Sequence, residues 1–371
     1  VGGCVRKFLT EEKIDDIDIA TSLTTDQIKE RFKETEFEVI DSGIKHGTIT
    51  LVLNNLKLEI TTLRKDIKTD GRHAEVKFTD NWQEDSNRRD FTINAIYLDI
   101  KGKIFDPQLG TVDLKNKELK FIGDPQKRIE EDYLRIIRYL RFSLEYGNET
   151  SQETLDIIKL NLNGIKNISK ERILVELIKI LKIKNFIYIN KFKIVKEIFS
   201  LIFPEFKYIS RLDKYRQISD KHNIDYKALL AILLIDQTNN HEYFSHKYKT
   251  SNDLKKNLNL ISKNSNDTNF LKKNLKRNIY LFGKKHLMNV NKLNYCNNKK
   301  TKLAEYSKVL FTINNFKIPE FPYDGNFLKD KGLNEGLIIG QTLELLENEW
   351  LNNNFSISSQ KVTEIIEKQR H

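Results

Sequence analysis

Asp16-Ile17-Asp18, downstream of Gly2-Gly3, is the stretch on which the reading of this chain turns. On an extended strand, alternation places both carboxylates on one face. Two hard Mg²⁺ ions held there would face a triphosphate. The glycine pair lets backbone approach phosphates with no Cβ in the way. Acidic pairs are common on exposed strands, so the weight comes from two longer strings downstream. They are Arg88-Arg89-Asp90-Phe91-Thr92-Ile93-Asn94-Ala95 and Glu131-Asp132-Tyr133-Leu134-Arg135-Ile136-Ile137-Arg138-Tyr139-Leu140-Arg141-Phe142.

The apolar period changes once along the chain. Residues 1 to about 115 read as mixed α/β. Asp26 to Lys33 predicts a short helix, with Thr24 or Thr25 as cap. Thr48 to Leu53 and Leu56 to Leu63 alternate and predict a hairpin turning at Asn54-Asn55. A second hairpin is predicted from Ile96 to Ile100 and Lys103 to Phe105, around Gly102; Asp106-Pro107 and Gly110 end the module. From about residue 127 the period is helical. Ile129, Leu134, Ile137, Leu140, Phe142 and Leu144 mark an apolar side, while Asp132, Arg135, Arg138 and Arg141 recur every third position. A further helix is predicted from Lys170 to about Ile183 with Ser169 as its cap. Residues 184 to 310 read as helices with Lys/Asn-rich connections. The fold class is therefore α+β: a small mixed α/β head (1–120), then an all-helical neck (121–183), body and tail (184–371).

A length of 371 residues suffices for about two or three modules. Two cysteines, Cys4 and Cys296, argue against a disulfide framework and fit a reducing, cytoplasmic setting. Cys4 reads as a small buried filler. The longest apolar run, Ala228 to Ile235, is too short to span a bilayer. Because Val1 opens inside a motif, upstream residues that include the start of a first strand are expected. The net charge is +11, yet residues 247–303 alone hold fifteen Lys and Arg against two Asp. Such a block suits a polyphosphate backbone, with Lys272, Lys273, Lys276 and Arg277 as candidate contacts. A solvated Lys/Asn face describes it equally well.

Arginine is placed more selectively. Only fifteen of 63 basic residues are Arg, and ten of these lie between residues 1 and 142. Lysine supplies a point charge, arginine a planar fork of donors. Arg6, Arg64, Arg88, Arg89, Arg135, Arg138 and Arg141 therefore read as needing the fork, whereas Arg31 and Arg128 read as structural salt bridges.

Nucleotidyl transfer is the chemistry these residues suit. Asp16 and Asp18 are candidate metal ligands. Glu59 is either a third carboxylate on a neighbouring strand or the partner of Lys57. Gly2, Gly3, Arg6 and Arg89 would hold triphosphate or ribose. Asp90 either accepts from a ribose hydroxyl or caps a helix beginning at Phe91. Cytosine and adenine both present an amino donor beside a ring-nitrogen acceptor. Asp132 would accept from the first and Arg135 donate to the second, with Arg138 and Arg141 on the same nucleotide-facing side. Guanine and uracil would leave buried polar groups unpaired. The plainer alternative is an i,i+3 surface ion pair.

In this order the strings resemble the motifs of class II tRNA nucleotidyltransferases, the CCA-adding enzymes and related bacterial poly(A) polymerases. Val1-Gly2-Gly3-Cys4-Val5-Arg6 with Asp16 to Thr21 resembles the first motif, and Arg88 to Ala95 the second. Glu131-Asp132 with Arg135 resembles the base-reading motif, and Ser169-Lys170-Glu171-Arg172 with Glu176 a later helix-stabilising one. The likeness is close to about residue 180 and patchier beyond; Lys7 stands where the family usually has Asp. Arg64 to Glu75 lies where the family carries a flexible loop that CC-only enzymes shorten. Gly325, Gly332, Gly336 and Gly340, followed by Leu343, Leu346 and Trp350, resemble an RNA-contacting tail. The resemblance implies template-independent addition of CCA to tRNA 3′ ends from CTP and ATP, with Mg²⁺. A poly(A) polymerase or a CC-only or A-only enzyme is the alternative. A catalytically silent RNA-binding protein is the reading from another class, and intact Asp16, Asp18 and Arg89 speak against it.

Overall fold

Strand alternation early in the chain produces a four-stranded sheet in the computed structural model, which describes residues 1–14, 16–70, 73–147, 151–219 and 224–370. Helix α1 (Gly3–Leu9) leads to β1 (Ile17–Thr21), α2 (Thr25–Phe32), β2 (Glu38–Gly43), β3 (Thr48–Leu53) and β4 (Leu56–Thr62). The strand order is β1-β4-β3-β2, with β1 parallel to β4 and the other pairs antiparallel. Thr24 starts α2 through a capping box with Gln27, as its position predicts. Ile28 of α2 packs on Ile49, Leu51 and Ile60 of the sheet. Because side chains alternate, the residues between them, Asp18, Glu59 and Thr50, share the opposite face in register.

The segment from Arg64 is strand rather than loop. Strands β5 (Arg64–Asp70) and β6 (His73–Phe78) pair antiparallel, while Gly71 and Arg72 lie outside the described residues. Helix α3 (Trp82–Asn87) follows, then the predicted hairpin of β7 (Tyr97–Leu98) and β8 (Ile104–Phe105), and α4 (Gly110–Asn116). Gly110 has to be glycine, since a Cβ there would lie 2.1 Å from the Thr92 carbonyl oxygen.

The neck helix is not continuous. It divides into α5 (Pro125–Glu131) and α6 (Leu134–Tyr146). Asp132 is extended at φ −153° and ψ 103°. Its Oδ1 accepts from the Leu134 N–H at 3.1 Å, and its carbonyl accepts from the Arg135 N–H at 2.9 Å. A short polar side chain here competes with the helix for backbone donors and wins. Phe91 and Phe121 meet Tyr139 and Phe142 of α6 in one aromatic cluster, with Phe121 stacked on Tyr139 at 5.4 Å. Helices α7 (Gln152–Asn161), α8 (Lys170–Lys182), α9 (Lys193–Ile202) and α10 (Leu212–Tyr215) follow, and Ser169 caps α8 as predicted.

Contacts divide the chain into two compact units: Val1–Tyr226 with His246–Thr250, and Lys227–Ser245 with Ser251–His371. The second is helical throughout its described residues. It carries all but the ends of α11 (Tyr226–Leu234) and α12 (Asn240–Lys247), and the whole of α13 (Asn252–Asn266), α14 (Leu275–Asn297), α15 (Leu303–Asn315), α16 (Gly325–Asp330), α17 (Leu337–Asn352) and α18 (Ser359–Lys368). Leu328, Leu333, Leu346, Val362 and Ile366 form a core for the last three helices. Among the described residues, no helix is long and apolar enough to cross a membrane.

Candidate active site

The sheet face opposite α2 gathers negative charge. Asp18 of β1 stands in register with Glu59 of β4, and Asp16 is exposed just before β1. Burial and the neighbouring Glu59 hold the Asp18 carboxyl above its usual range, with Asp16 adding to the effect. A divalent cation would relieve this crowding, and carboxylate oxygens are the donors a hard cation takes. Glu59 also receives the Lys57 ammonium at 2.8 Å, so both readings of it have a geometric basis. Among the described residues, no three His, Cys, Asp or Glu side chains converge as a ready-made metal cluster. The donor set therefore fits a metal that arrives with further oxygen ligands.

Beside Asp18 opens a cavity of about 430 Å³. Its walls include Gly2, Gly3, Arg6, Arg89, Asp90, Asp132, Arg135, Arg138 and Arg141. Distant segments thus meet where the sequence expects a nucleotide, whereas Asp16 and Glu59 do not line the cavity. Gly2 begins α1 at φ +68°, a conformation open to glycine. Arg6 is buried, bonded through Nη1 to Asn94 Oδ1, and lies over the rings of Phe142 at 4.8 Å and Tyr146 at 4.6 Å. Cys4 is only half-buried, with its Sγ 3.3 Å from the Val1 carbonyl.

Each guanidinium in the wall is anchored from behind. Arg89 meets Asp85 at 3.1 Å, the Tyr97 hydroxyl at 3.2 Å and the Asn94 carbonyl at 3.3 Å. Arg88 Nε reaches Asp85 at 2.8 Å. Asp85 is fully buried, and although burial pushes its carboxyl up, Arg88 and Arg89 outweigh that and hold it low. Asp90 is an acceptor for protein donors: Oδ1 receives the Phe91 N–H and Asn94 Nδ2, each at 2.9 Å, and Oδ2 receives Arg138 Nε at 2.6 Å. Burial raises its carboxyl, and Arg138 with these donors more than reverses the shift. The helix expected to begin at Phe91 is only a single 3₁₀ turn, Thr92–Asn94, with Phe91 itself at the N-cap position and no side-chain cap bond.

At the neck end, Asp132 and Arg135 line the cavity but do not pair with each other. Asp132 Oδ2 receives Arg172 Nη2 at 2.7 Å. Arg135 Nη1 donates to Glu131 at 2.5 Å and to the Arg128 carbonyl at 2.6 Å. The break between α5 and α6 turns the two side chains toward separate anchors, so the i,i+3 surface pair does not form. Arg141 reaches Glu176 at 2.8 Å and Glu145 at 3.5 Å. Glu176 is buried, and Arg141 and Lys179 bring its carboxyl below the usual range against the effect of burial. Arg128 is structural as predicted, pairing with Glu131 and donating to the carbonyls of Arg88 and Arg89; Arg31 is simply exposed.

Sequence reasoning misses Asp85. Its signal is present, an Asp three and four positions before consecutive arginines, the spacing at which helical side chains meet. Arg172 and Glu176 stand out only within the helix-stabilising motif, and their contacts with Asp132 and Arg141 span 40 and 35 residues. In the second unit, Lys272, Lys273 and Lys276 are exposed. Arg277 differs, being half-buried and bonded to Asn352 Oδ1 at 2.8 Å.

Comparison with known proteins adds three findings. The family described as "Poly A polymerase head domain" matches residues 1–120. A human protein, "CCA tRNA nucleotidyltransferase 1, mitochondrial", is 34% identical across 99% of this chain and 86% of its own length. Two solved structures share the fold: the Bacillus stearothermophilus CCA-adding enzyme in complex with CTP (TM-score 0.74, 22% identity, 100% of this chain and 92% of that one), and the Thermotoga maritima CCA-adding enzyme complexed with tRNA (TM-score 0.61, 22% identity, 99% and 90%).

Proposed function

From the premise that this chain belongs to the CCA tRNA nucleotidyltransferase family, we infer how its residues carry out the reaction. The chain is a nucleotidyltransferase that adds CCA to tRNA 3′ ends, with CTP, ATP and tRNA as substrates. The observation that carries the site assignment is the shared cavity beside Asp18 where Gly2, Gly3, Arg6, Arg89, Asp132 and Arg135 meet. Enzymes of this family generally use a divalent metal. We assign Mg²⁺ to Asp16 and Asp18, with Glu59 as the candidate third carboxylate. An ion held there would supply Lewis-acid activation for the tRNA 3′-hydroxyl and positive charge for the leaving pyrophosphate.

The protein residues act by binding and orientation. Arg6 and Arg89 hold the triphosphate and ribose, and the glycines at the start of α1 let backbone N–H groups approach it. Their anchors fix the guanidinium planes before substrate arrives, so little is lost in ordering them. Asp90 accepts from the ribose hydroxyl while Arg138 keeps it ionised. Asp132 retains lone pairs for the amino group of cytosine or adenine, since each carboxylate oxygen accepts more than one bond. Arg135 has donors beyond Nη1 for the ring nitrogen.

Residues 1–120 serve as the catalytic head, 121–183 as the base-reading neck and 184–371 as the tRNA-binding body and tail. Cys4 and Cys296 form no disulfide, which supports a cytoplasmic setting that cell fractionation tests. The decisive assay supplies tRNA lacking CCA with CTP, with ATP, and with both. Two additions from CTP and a third only when ATP is present are expected. A long run from ATP alone would make the chain a poly(A) polymerase, and no addition from any nucleotide would make it a silent RNA-binding fold.

A further inference from the structure

Another cavity lies wholly within the second unit, and the reaction above does not use it. Its volume is about 660 Å³, the size of a small-molecule site. Its walls come from the segment after α11, the C-terminal end of α13, the second half of α14 and the first half of α15. Much of that wall belongs to residues 247–303, where fifteen Lys and Arg stand against two Asp.

Amide side chains define the interior. Asn291 and Asn294 lie three apart on α14, a spacing that puts two side chains on one helix face, and Asn298 follows at the helix end. Asn291 is buried and held in place, its Nδ2 donating to the Tyr306 carbonyl at 3.1 Å. Asn294 is half-buried, and its side chain has no hydrogen-bond partner among the described residues. Each amide offers donors and an acceptor in one plane. Leu271, Tyr306 and Val309 supply apolar wall beside them. Lys272 and Lys300 stand exposed at the rim, in no ion pair among the described residues. Of the acids in the wall, Asp236 already accepts the Thr238 N–H and hydroxyl at 2.7 and 2.6 Å, and Glu305 is exposed.

We propose that this cavity is a second nucleotide-binding site, separate from the catalytic one, which takes a single unstacked nucleotide. The base lies against Leu271 and Val309 with its edge on Asn291 and Asn294, and the phosphate meets Lys272 and Lys300. A planar edge that both donates and accepts is what amide side chains recognise, as in the contacts of Asn and Gln with adenine. A bare anion such as sulfate has no use for apolar walls or for amide acceptors. The nucleotide comes either from an RNA strand or from the free pool. The inference rests on the tRNA-binding reading of this unit only for the first source. An RNA base seated here adds a base contact to the backbone grip of the lysines.

Photo-crosslinking of the full chain tests the site and both sources. One arm uses tRNA lacking CCA with 4-thiouridine in place of uridine, the other free 4-thiouridine monophosphate, and mass spectrometry locates the adducts. Residues 291–309 should carry adducts in at least one arm, apart from those at the catalytic cavity. Asn294→Leu should lower the yield there by about tenfold, with adducts at the catalytic cavity unchanged. Should Asn294→Leu fail to fold, Lys300→Ala at the exposed rim carries the test with a smaller loss at the same place. Adducts from the tRNA arm alone assign the source to RNA, and adducts from the monophosphate assign it to the free pool. No adduct in the cavity wall from either probe overturns the proposal, as does a yield that neither folded variant changes. A wild-type chain that fails to bind tRNA in a filter assay would bring down the tRNA-binding reading, and the monophosphate arm alone would then decide the cavity.

Discussion

The positive charge of the nucleotide cavity and that of the basic block differ in how they are held. In the first unit, Arg88, Arg89, Arg138 and Arg141 are each locked to a buried carboxylate of Asp85, Asp90 or Glu176. In the second, Lys272, Lys273 and Lys276 extend into solvent on flexible stems. A locked fork selects a ligand by shape and hydrogen-bond direction. Free ammonium groups respond to charge density and adapt to whatever backbone lies near. Under the proposed roles, selection of the small substrate and grip on the large one would be separated by residue type.

The sharpest break between the two regions comes from the carboxylates. Asp18→Ala, and likewise Asp16→Ala, should reduce single-turnover CMP addition by at least about a thousandfold, roughly 4 kcal/mol of barrier. tRNA affinity, measured in parallel by filter binding, should hold. Near-normal addition in either variant would remove the metal assignment.

Next in size is the anchor beneath α6. Glu176→Gln takes from Arg141 its buried carboxylate partner, leaving it Glu145 at 3.5 Å, while Arg138 keeps Asp90; breaking such a buried pair is a loss of about 3–5 kcal/mol. Because the folded Glu176 pKa is depressed, its stabilisation is present above the usual glutamate value of 4.5 and disappears as pH falls through the lower folded value. Urea unfolding at neutral pH should therefore separate wild type from variant widely, and the gap should close in acid below 4.5. A gap independent of pH would mean that Glu176 acts through packing alone.

A smaller effect probes base choice. Asp132→Ala removes the acceptor for the amino group, so discrimination against UTP and GTP should fall by about 1–3 kcal/mol. An Asp16 variant should slow all four nucleotides alike. If the preference ratio of Asp132→Ala matches wild type, Asp132 serves only to end α5 and to hold Arg172.

The smallest single changes belong to the basic block. Replacing Lys272, Lys273 and Lys276 by Ala should weaken tRNA binding a few-fold and flatten its salt slope by up to about 0.9 for each phosphate no longer neutralised. Arg277→Ala should behave differently, lowering stability by removing the partner of Asn352. Unchanged affinity and slope in the triple variant would reduce the block to a solvated face.

Much of this architecture is legible in local signals. Alternation announces β3 and β4, Thr24 and Ser169 announce their helices, and residues of the separate motif strings line one cavity, Asp16 and Glu59 excepted. The features that escape depend on partners remote in sequence or on competition within a turn. Asp132 ends α5 because its side chain captures the Leu134 N–H, which apolar periodicity does not register. The strands β5 and β6 gain their ladder only by pairing with each other, and the polar character of Arg64 to Glu75 masks that.

The long-range anchors also bear on when the site comes into being. During synthesis the chain emerges from its N-terminus. Once residue 146 has appeared, β1, β4 and all of α6 exist, and every cavity arginine from Arg6 to Arg141 has been made. Arg172 and Glu176 have not. Until α8 follows, Asp132 lacks its cationic partner and Arg141 lacks its buried one. A nascent head therefore holds the chemical groups for the reaction before it can hold them in place, and a truncation ahead of α8 should yield a chain with complete motifs and no competent site.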